Sequence, residues 1–95
     1  MLEYDRVKLG EHLKSEREAA QITQAEVSRK LGYSSPQFIS NIERGVSVAP
    51  LKTISKMLKV YKSDAEKVAK IILQSQEELL LSKFKNYSTN KRVKR

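Results

Sequence analysis

Apolar residues recur at helical spacing near the start of the chain. Leu9 and Leu13 are four positions apart, and Arg17 continues the same stripe. This spacing predicts a helix over residues 5–20. Asp5 suits the N-cap, because its carboxylate accepts backbone N–H bonds and complements the positive helix end.

A second start signal lies at Thr23. Thr23 and Glu26 are three residues apart, which is the spacing of a capping box, and Val27 and Leu31 supply a buried side. These features predict a second helix over residues 24–31.

A turn and a third helix follow. Gly32 suits the left-handed conformation in which helices often end, and Pro36 suits the first position of a helix, where its missing N–H costs nothing. Ile39 and Ile42 face inward in the helix predicted over residues 36–44. Two short helices joined by a tight, glycine-containing turn have the helix-turn-helix layout.

Two further helices complete a prediction of an all-α, five-helix fold. The fourth begins at Pro50, and the fifth is capped by Ser63 or Asp64. The fifth helix carries more apolar residues than packing on a small core needs. They are Val68, Ile71, Ile72, Leu73, Leu79, Leu80, Leu81 and Phe84. A large exposed apolar patch marks an interaction surface, so we expect this extended helix to provide a dimer or partner contact.

Composition favours one compact helical domain. The chain has 95 residues with 3 glycines and 2 prolines. We divide it into a helix-turn-helix domain (1–62), a C-terminal helix (63–85) and a basic, flexible tail (86–95). Cysteine is missing and there is one histidine, which excludes a disulfide framework and argues against a transition-metal site. We therefore predict no metal and no cofactor.

No apolar stretch approaches the ~20 residues that span a bilayer. The first five residues also lack the basic start and apolar core of a signal peptide. We expect a soluble, cytoplasmic protein that does not bind membranes.

The net charge of +8 is unevenly distributed along the chain. Residues 1–62 carry 11 basic and 7 acidic side chains, residues 63–82 carry 2 and 4, and residues 83–95 carry 6 and none. A positive surface suits a polyanion, either nucleic acid or an acidic membrane. The membrane is the weaker choice, because the tail has only Tyr87 as a bulky aromatic to insert. The tail either adds phosphate contacts or only solubilises the chain.

Two segments together resemble the Cro/repressor family of regulators, also called the XRE type. They are residues 23–32 (TQAEVSRKLG) and 39–45 (ISNIERG), and the resemblance extends over residues 6–61. It implies a repressor-like fold whose third helix enters the major groove of double-stranded DNA.

The chain departs from the family pattern at four places. The turn over residues 33–36 is one residue longer than usual, and Gln21 stands where glycine is common. Glu16 replaces a common apolar residue, and the loop over residues 48–50 is unusual.

Seven residues are candidate DNA contacts. They are Gln24, Ser34, Ser35, Gln37, Ser40, Asn41 and Arg44. The resemblance implies that Gln24 and the start of its helix contact a phosphate. Gln37, Ser40 and Asn41 lie on the outward side of the third helix, where amides and hydroxyls can pair with base edges.

The other candidates act at the edges of this helix. Ser34 and Ser35 either cap it or donate to phosphate, and Arg44 is expected to bind backbone phosphate. For Arg17 and Glu43 the resemblance implies a structural ion pair that ties the first helix to the end of the third. Such a pair is bidentate and orienting when well formed.

The function that these observations favour is sequence-specific regulation of transcription. We expect a dimeric repressor on a palindromic operator, because two-fold pairing doubles the few base contacts of one helix. One alternative is an antitoxin that represses its own operon and binds a small toxin protein through its C-terminal region. Another is an adaptor or RNA-associated protein that does not read DNA. No nucleophile–base pairing or phosphate-binding glycine loop indicates an enzyme.

Overall fold

The computed structural model of the chain describes residues 3–91, with side chains up to residue 87. These residues form five helices and no strand, which confirms the all-α prediction. The helices are α1 (Arg6–Ala19), α2 (Gln24–Lys30), α3 (Gln37–Glu43), α4 (Leu51–Tyr61) and α5 (Glu66–Lys91).

The helices begin where local capping predicted. The Asp5 carboxylate accepts from the Lys8 N–H at 3.0 Å, and Thr23 and Glu26 form the reciprocal capping box, at 2.8 and 3.1 Å. Pro36 and Pro50 each lie one residue before a helix, at its N-cap. The two helices were predicted to begin at these prolines and therefore begin one residue later than predicted. Proline suits either position, because it lacks the N–H that a helix start does not need.

Four of the five described helices end in the same hydrogen-bond pattern. In each, the N–H groups of two successive residues turn back onto carbonyls of the last helical turn, the first of them from a left-handed residue. Gly32 (φ 87°) and Gly45 (φ 75°) occupy that position after α2 and α3. After α1 and α4 the left-handed residues are Gln21 (φ 59°) and Lys62 (φ 57°).

The core lies where α1 to α4 meet. Its most completely buried side chains are Leu9, Leu13, Val27, Ile39, Ile54 and Met57. The unusual loop before α4 is fixed by Tyr4, whose hydroxyl accepts from the Ala49 N–H at 3.0 Å and donates to the Ala49 carbonyl at 3.1 Å. These two hydrogen bonds between Tyr4 and Ala49 hold the loop in one conformation.

Helix α5 packs on α1 and on the N-terminal segment. Val68 and Ile72 are buried, and so is Ser75, whose hydroxyl accepts from the Asp5 N–H at 3.0 Å. Ile72 and the half-buried Ile71 therefore belong to the core and not to the exposed surplus that the sequence indicated. The inward side of α5 is used over its first half only.

The end of α5 corrects one prediction. Residues 86–95 were expected to form a flexible tail, but α5 continues to Lys91. Residues 66–91 contain neither glycine nor proline, so nothing in the sequence ends the helix at residue 85. The last four residues of the predicted tail, 92–95, lie outside the described part of the chain.

Candidate nucleic-acid interface

The outward side of α3 carries a row of hydrogen-bonded polar side chains. The Gln37 amide Nε2 donates to Asn41 Oδ1 at 2.9 Å. Arg44 Nη2 donates to the same Oδ1 atom at 2.6 Å. Gln37 and Arg44 are exposed and Asn41 is half-buried, so the row lies at the protein surface. One asparagine oxygen thus holds the two longer side chains in place.

These bonds define what the row can offer to DNA. Gln37 keeps its carbonyl oxygen and one amide hydrogen, which is the pair of groups that adenine accepts on its major-groove edge. Asn41 has committed its oxygen and keeps its NH2 donor. Arg44 keeps most of its five N–H donors for phosphate. Ser40, also half-buried, lies between these residues on the helix.

The two serines of the turn have different environments. The Ser35 hydroxyl accepts from the Gln37 N–H at 3.4 Å, a long bond at the start of α3. The Ser35 carbonyl accepts from the buried hydroxyl of Ser28, which ties the turn to α2. Ser34 is exposed at the tip of the turn. The longer turn is therefore anchored through Ser35, and Ser34 faces solvent.

Arg17 and Glu43 form the pair that was expected of them. Arg17 Nε and Nη2 donate to the two Glu43 carboxylate oxygens at 2.6 and 3.1 Å, and Arg17 Nη1 donates to the Ile22 carbonyl at 2.8 Å. The side chains are only 11% and 1% exposed. The hydrogen bonds that Arg17 donates to Glu43 raise the pKa of Arg17. This joins the end of α1 to the end of α3.

Gln24 takes part in the same cluster. Its amide Nε2 donates to Glu43 Oε1 at 2.8 Å, and the side chain is half-buried. Sequence reasoning assigned Gln24 to a phosphate and did not anticipate this bond. Because an amide nitrogen has two hydrogens, one remains for an anion while the other fixes the side chain.

A comparison with known families indicates what kind of protein carries this surface. The model of the helix-turn-helix family matches residues 13–68, which is more than half of the chain. The chain belongs to the helix-turn-helix family. This confirms the resemblance to XRE-type regulators, and it makes the protein a DNA-binding transcription regulator by family.

A solved structure supports the fold of this helix-turn-helix protein. The clp gene regulator ClgR from C. glutamicum is 21% identical, with a TM-score of 0.65. The match covers 79% of this chain and 95% of that one. No curated protein sequence matches the chain.

The helix-turn-helix core contains one residue whose importance the sequence analysis missed. Gly10 is buried in the middle of α1, and a Cβ atom there would lie 2.5 Å from the Ile42 carbonyl oxygen and 2.6 Å from that of Glu43. Only a glycine lets α1 approach the end of α3 so closely. A glycine inside a helical stripe was the available signal.

Two of the departures from the family pattern also have a structural explanation. Gln21 occupies the left-handed position in which glycine is common, and it accepts that conformation as a non-glycine residue. The Glu16 carboxylate accepts a hydrogen bond from the Ser63 hydroxyl, which ties α1 to the connection between α4 and α5. A polar residue at position 16 therefore has a partner.

Near the ion pair lies a buried polar group of a different kind. The Tyr61 hydroxyl is buried and has no hydrogen-bond partner among the described residues. Burial raises the pKa of Tyr61, and the nearby Glu43 carboxylate raises it further. The phenol is therefore neutral at physiological pH.

Residues 3–91 contain no group of acidic and histidine side chains that could hold a metal ion. None of the described helices is long and apolar enough to cross a membrane.

Proposed function

We propose that this regulator reads a palindromic double-stranded operator as a homodimer and represses transcription from it. The observation that carries the proposal is the bonded row of Gln37, Asn41 and Arg44 on α3. A set of polar side chains held at the surface of the second helix of the motif fits the role of a recognition surface.

Each residue of the row has a separate role in this proposal. Gln37 pairs with a base edge, most simply an adenine, through its remaining oxygen and hydrogen. Asn41 positions Gln37 and Arg44, and its NH2 group adds one donor. Arg44 binds a backbone phosphate, which strengthens binding without reading sequence. Ser40 contributes a hydroxyl beside Gln37.

Contacts at the edges of α3 orient the domain on the duplex. Gln24, fixed by Glu43, supplies its second amide hydrogen to a phosphate. The exposed Ser34 donates a hydrogen bond from its hydroxyl to the DNA backbone. Ser35 serves mainly to hold the turn. Contacts of this kind set register and orientation and carry no sequence information directly.

Selection of bound sites from random duplex DNA at fixed salt tests the proposal. We expect a two-fold symmetric consensus. Replacement of Gln37 by alanine should cost ~1–3 kcal/mol on that site and relax the preference at one base position in each half-site. Gln74→Ala, which changes an exposed glutamine on α5, is the matched control and should leave the consensus intact.

Two results would contradict specific parts of this assignment. If Gln37→Ala weakened preferred and random DNA equally, Gln37 would be a backbone contact. If selection yielded no consensus at all, the protein would not read DNA sequence, and the adaptor or RNA-associated alternative would replace the regulator.

A further inference from the structure

From Leu73 onward, α5 carries a row of large apolar side chains that are exposed in the described structure. Leu73, Leu80, Phe84 and Tyr87 lie along one side of the helix, and we call them the outer stripe. Their side chains are 67%, 55%, 60% and 64% exposed. Spacings of seven, four and three residues keep them on one face. The inward side of α5, with Val68 and Ile72, points elsewhere.

The outer stripe continues into a groove on the body of the protein. The groove, of about 510 Å³, lies between α4 and α5 and is lined mainly by apolar side chains that include Leu51, Leu58 and Leu73. Leu51 is itself exposed. The groove and the outer stripe share Leu73, and exposed apolar surface of this kind marks an interaction site.

We propose that the outer stripe pairs with the outer stripe of a second copy, with the two α5 helices antiparallel and the two-fold axis at Leu80. This inference rests on the proposed function, because it describes the interface of the homodimer proposed there. A two-fold interface must be self-complementary. Leu73, Leu80 and Tyr87 are spaced symmetrically about Leu80, and Phe84 would face Gln76 of the second copy. Leu73 and Tyr87 lie seven residues on either side, so each would face the other residue in the second copy.

The charges on α5 select the antiparallel direction. Glu77 and Glu78 precede Leu80, whereas Lys83 and Lys85 follow it, and all four side chains are exposed. Parallel pairing would bring the four lysines of the two copies together, where like charges repel. Antiparallel pairing brings the lysines of each copy to the level of the glutamates of the other.

The groove also favours the antiparallel direction. In the antiparallel register, Tyr87 of the second copy lies over Leu73, at the mouth of the groove beside Leu51. An aromatic side chain can cover that apolar opening and keep its hydroxyl in water. Parallel pairing would place Tyr87 opposite its own counterpart and leave the groove open.

Cysteine cross-linking of the full chain without DNA tests the register. The chain contains no cysteine, so single-cysteine variants are unambiguous. We expect Leu80→Cys to cross-link efficiently with a short bismaleimide. Leu73→Cys alone should not cross-link, because the two copies of residue 73 would lie 14 residues or ~21 Å apart along the helix pair. A mixture of Leu73→Cys and Tyr87→Cys should give the mixed dimer.

Glu78→Cys is the matched control, because residue 78 is exposed close to Leu80 but on a different side of α5. It should stay monomeric on a denaturing gel. Efficient cross-linking of Leu73→Cys by itself would show parallel helices and overturn the proposal. Equal cross-linking of the 78 and 80 variants would show that the stripe is not the contact.

Sedimentation of a pair of charge variants gives an independent test. Leu80→Glu should weaken self-association at least ~10-fold, because it places like charges at the two-fold axis. Leu81→Glu makes the same change at a residue that is 59% exposed but off the stripe, and it should associate like wild type. Thermal melting checks that both variants fold.

The sedimentation experiment has two outcomes that contradict the proposal. A wild-type chain that is monomeric at high micromolar concentration would overturn it and favour a different occupant of the stripe, such as a toxin protein. Equal weakening by both variants would also overturn it. Base reading by Gln37 is measured separately on DNA, so either proposal can fail without the other.

Discussion

The body formed by α1 to α4 and the second half of α5 use apolar residues in opposite ways. In the body, Leu13, Val27 and Ile39 are fully buried against one another's helices. From residue 80 to 87 every described side chain of α5 is exposed, although leucine and phenylalanine recur there at helical spacing. Apolar periodicity thus produces a core where the described chain supplies a partner, and an exposed apolar surface where it does not.

The largest expected effect lies inside the body. Glu43→Gln leaves the Arg17 guanidinium buried without a carboxylate, and a single amide cannot satisfy Arg17 and Gln24 together. Loss of one partner of a buried pair costs ~3–5 kcal/mol. We expect a correspondingly lower free energy of unfolding in chemical denaturation without DNA.

Glu11→Gln is the control for this prediction, since Glu11 is an exposed acid on α1. It should change stability little. If Glu43→Gln melted like wild type but bound DNA differently, the pair would be part of the interface and not of the body. The ion pair would then no longer distinguish the body from the second half of α5.

Removal of residues 88–95 tests the other region. It deletes four basic side chains, Lys91, Arg92, Lys94 and Arg95, and keeps the outer stripe. We expect unchanged stability of the body, together with a log–log salt dependence of DNA binding that is shallower by up to ~0.9 per lost phosphate contact. Specific and random DNA should weaken by similar factors. An unchanged salt dependence would show that residues 88–95 do not contact DNA and only solubilise the chain.

A smaller effect is expected at the start of α2. Thr23→Ala removes the hydroxyl that accepts from the Glu26 N–H, and loss of an N-cap side chain costs ~1 kcal/mol. Bonds to Thr23 also lower the pKa of Glu26. The stability from that shift is present above the ordinary glutamate pKa and is lost as the pH falls through the lowered value.

Stability measured against pH in the acid range therefore checks the capping box. The variant should lose less stability on acidification than wild type does, because its Glu26 has less of a shift to lose. An identical acid-side slope in the two proteins would show that the Thr23 hydroxyl contributes nothing through Glu26, since the backbone N–H at position 23 still donates to the carboxylate in the variant.

The smallest effect is expected at the end of α1. Gln21→Gly should raise the free energy of unfolding by up to ~1 kcal/mol, since the left-handed conformation costs a non-glycine residue about that much. Gly32→Ala makes the opposite change after α2, at a left-handed position with open space around it, and should destabilise. If both variants destabilised, side-chain contacts of Gln21 would outweigh its backbone strain.

Local signals explain why the body was predictable from the sequence. Asp5, Thr23, Gly32 and Gly45 act on the helix turn next to them, so their effects can be derived without a fold. The match between the predicted and observed helices, within about a residue at most ends, follows from these caps. The motif that they frame also identified the family.

Contacts between distant segments explain what the sequence analysis missed. Burial of Ile72 depends on how α5 lies across α1, and the bond from Gln24 to Glu43 joins residues on two helices. The importance of Gly10 could be recognised only from its distance to the carbonyl groups of α3. The bond between Gln37 and Asn41 was accessible from their spacing of four residues.

The bond between Gln37 and Asn41 has a consequence for how operators of this protein can change. A free glutamine amide can rotate by a half-turn and exchange its donor with its acceptor, and it loses ~0.5–1.5 kcal/mol of side-chain freedom when DNA immobilises it. Here Asn41 fixes the amide before DNA arrives. If Gln37 reads a base as proposed, mutation of Asn41 would therefore loosen the base preference of Gln37, and a new specificity could begin at a residue whose main part is to position another.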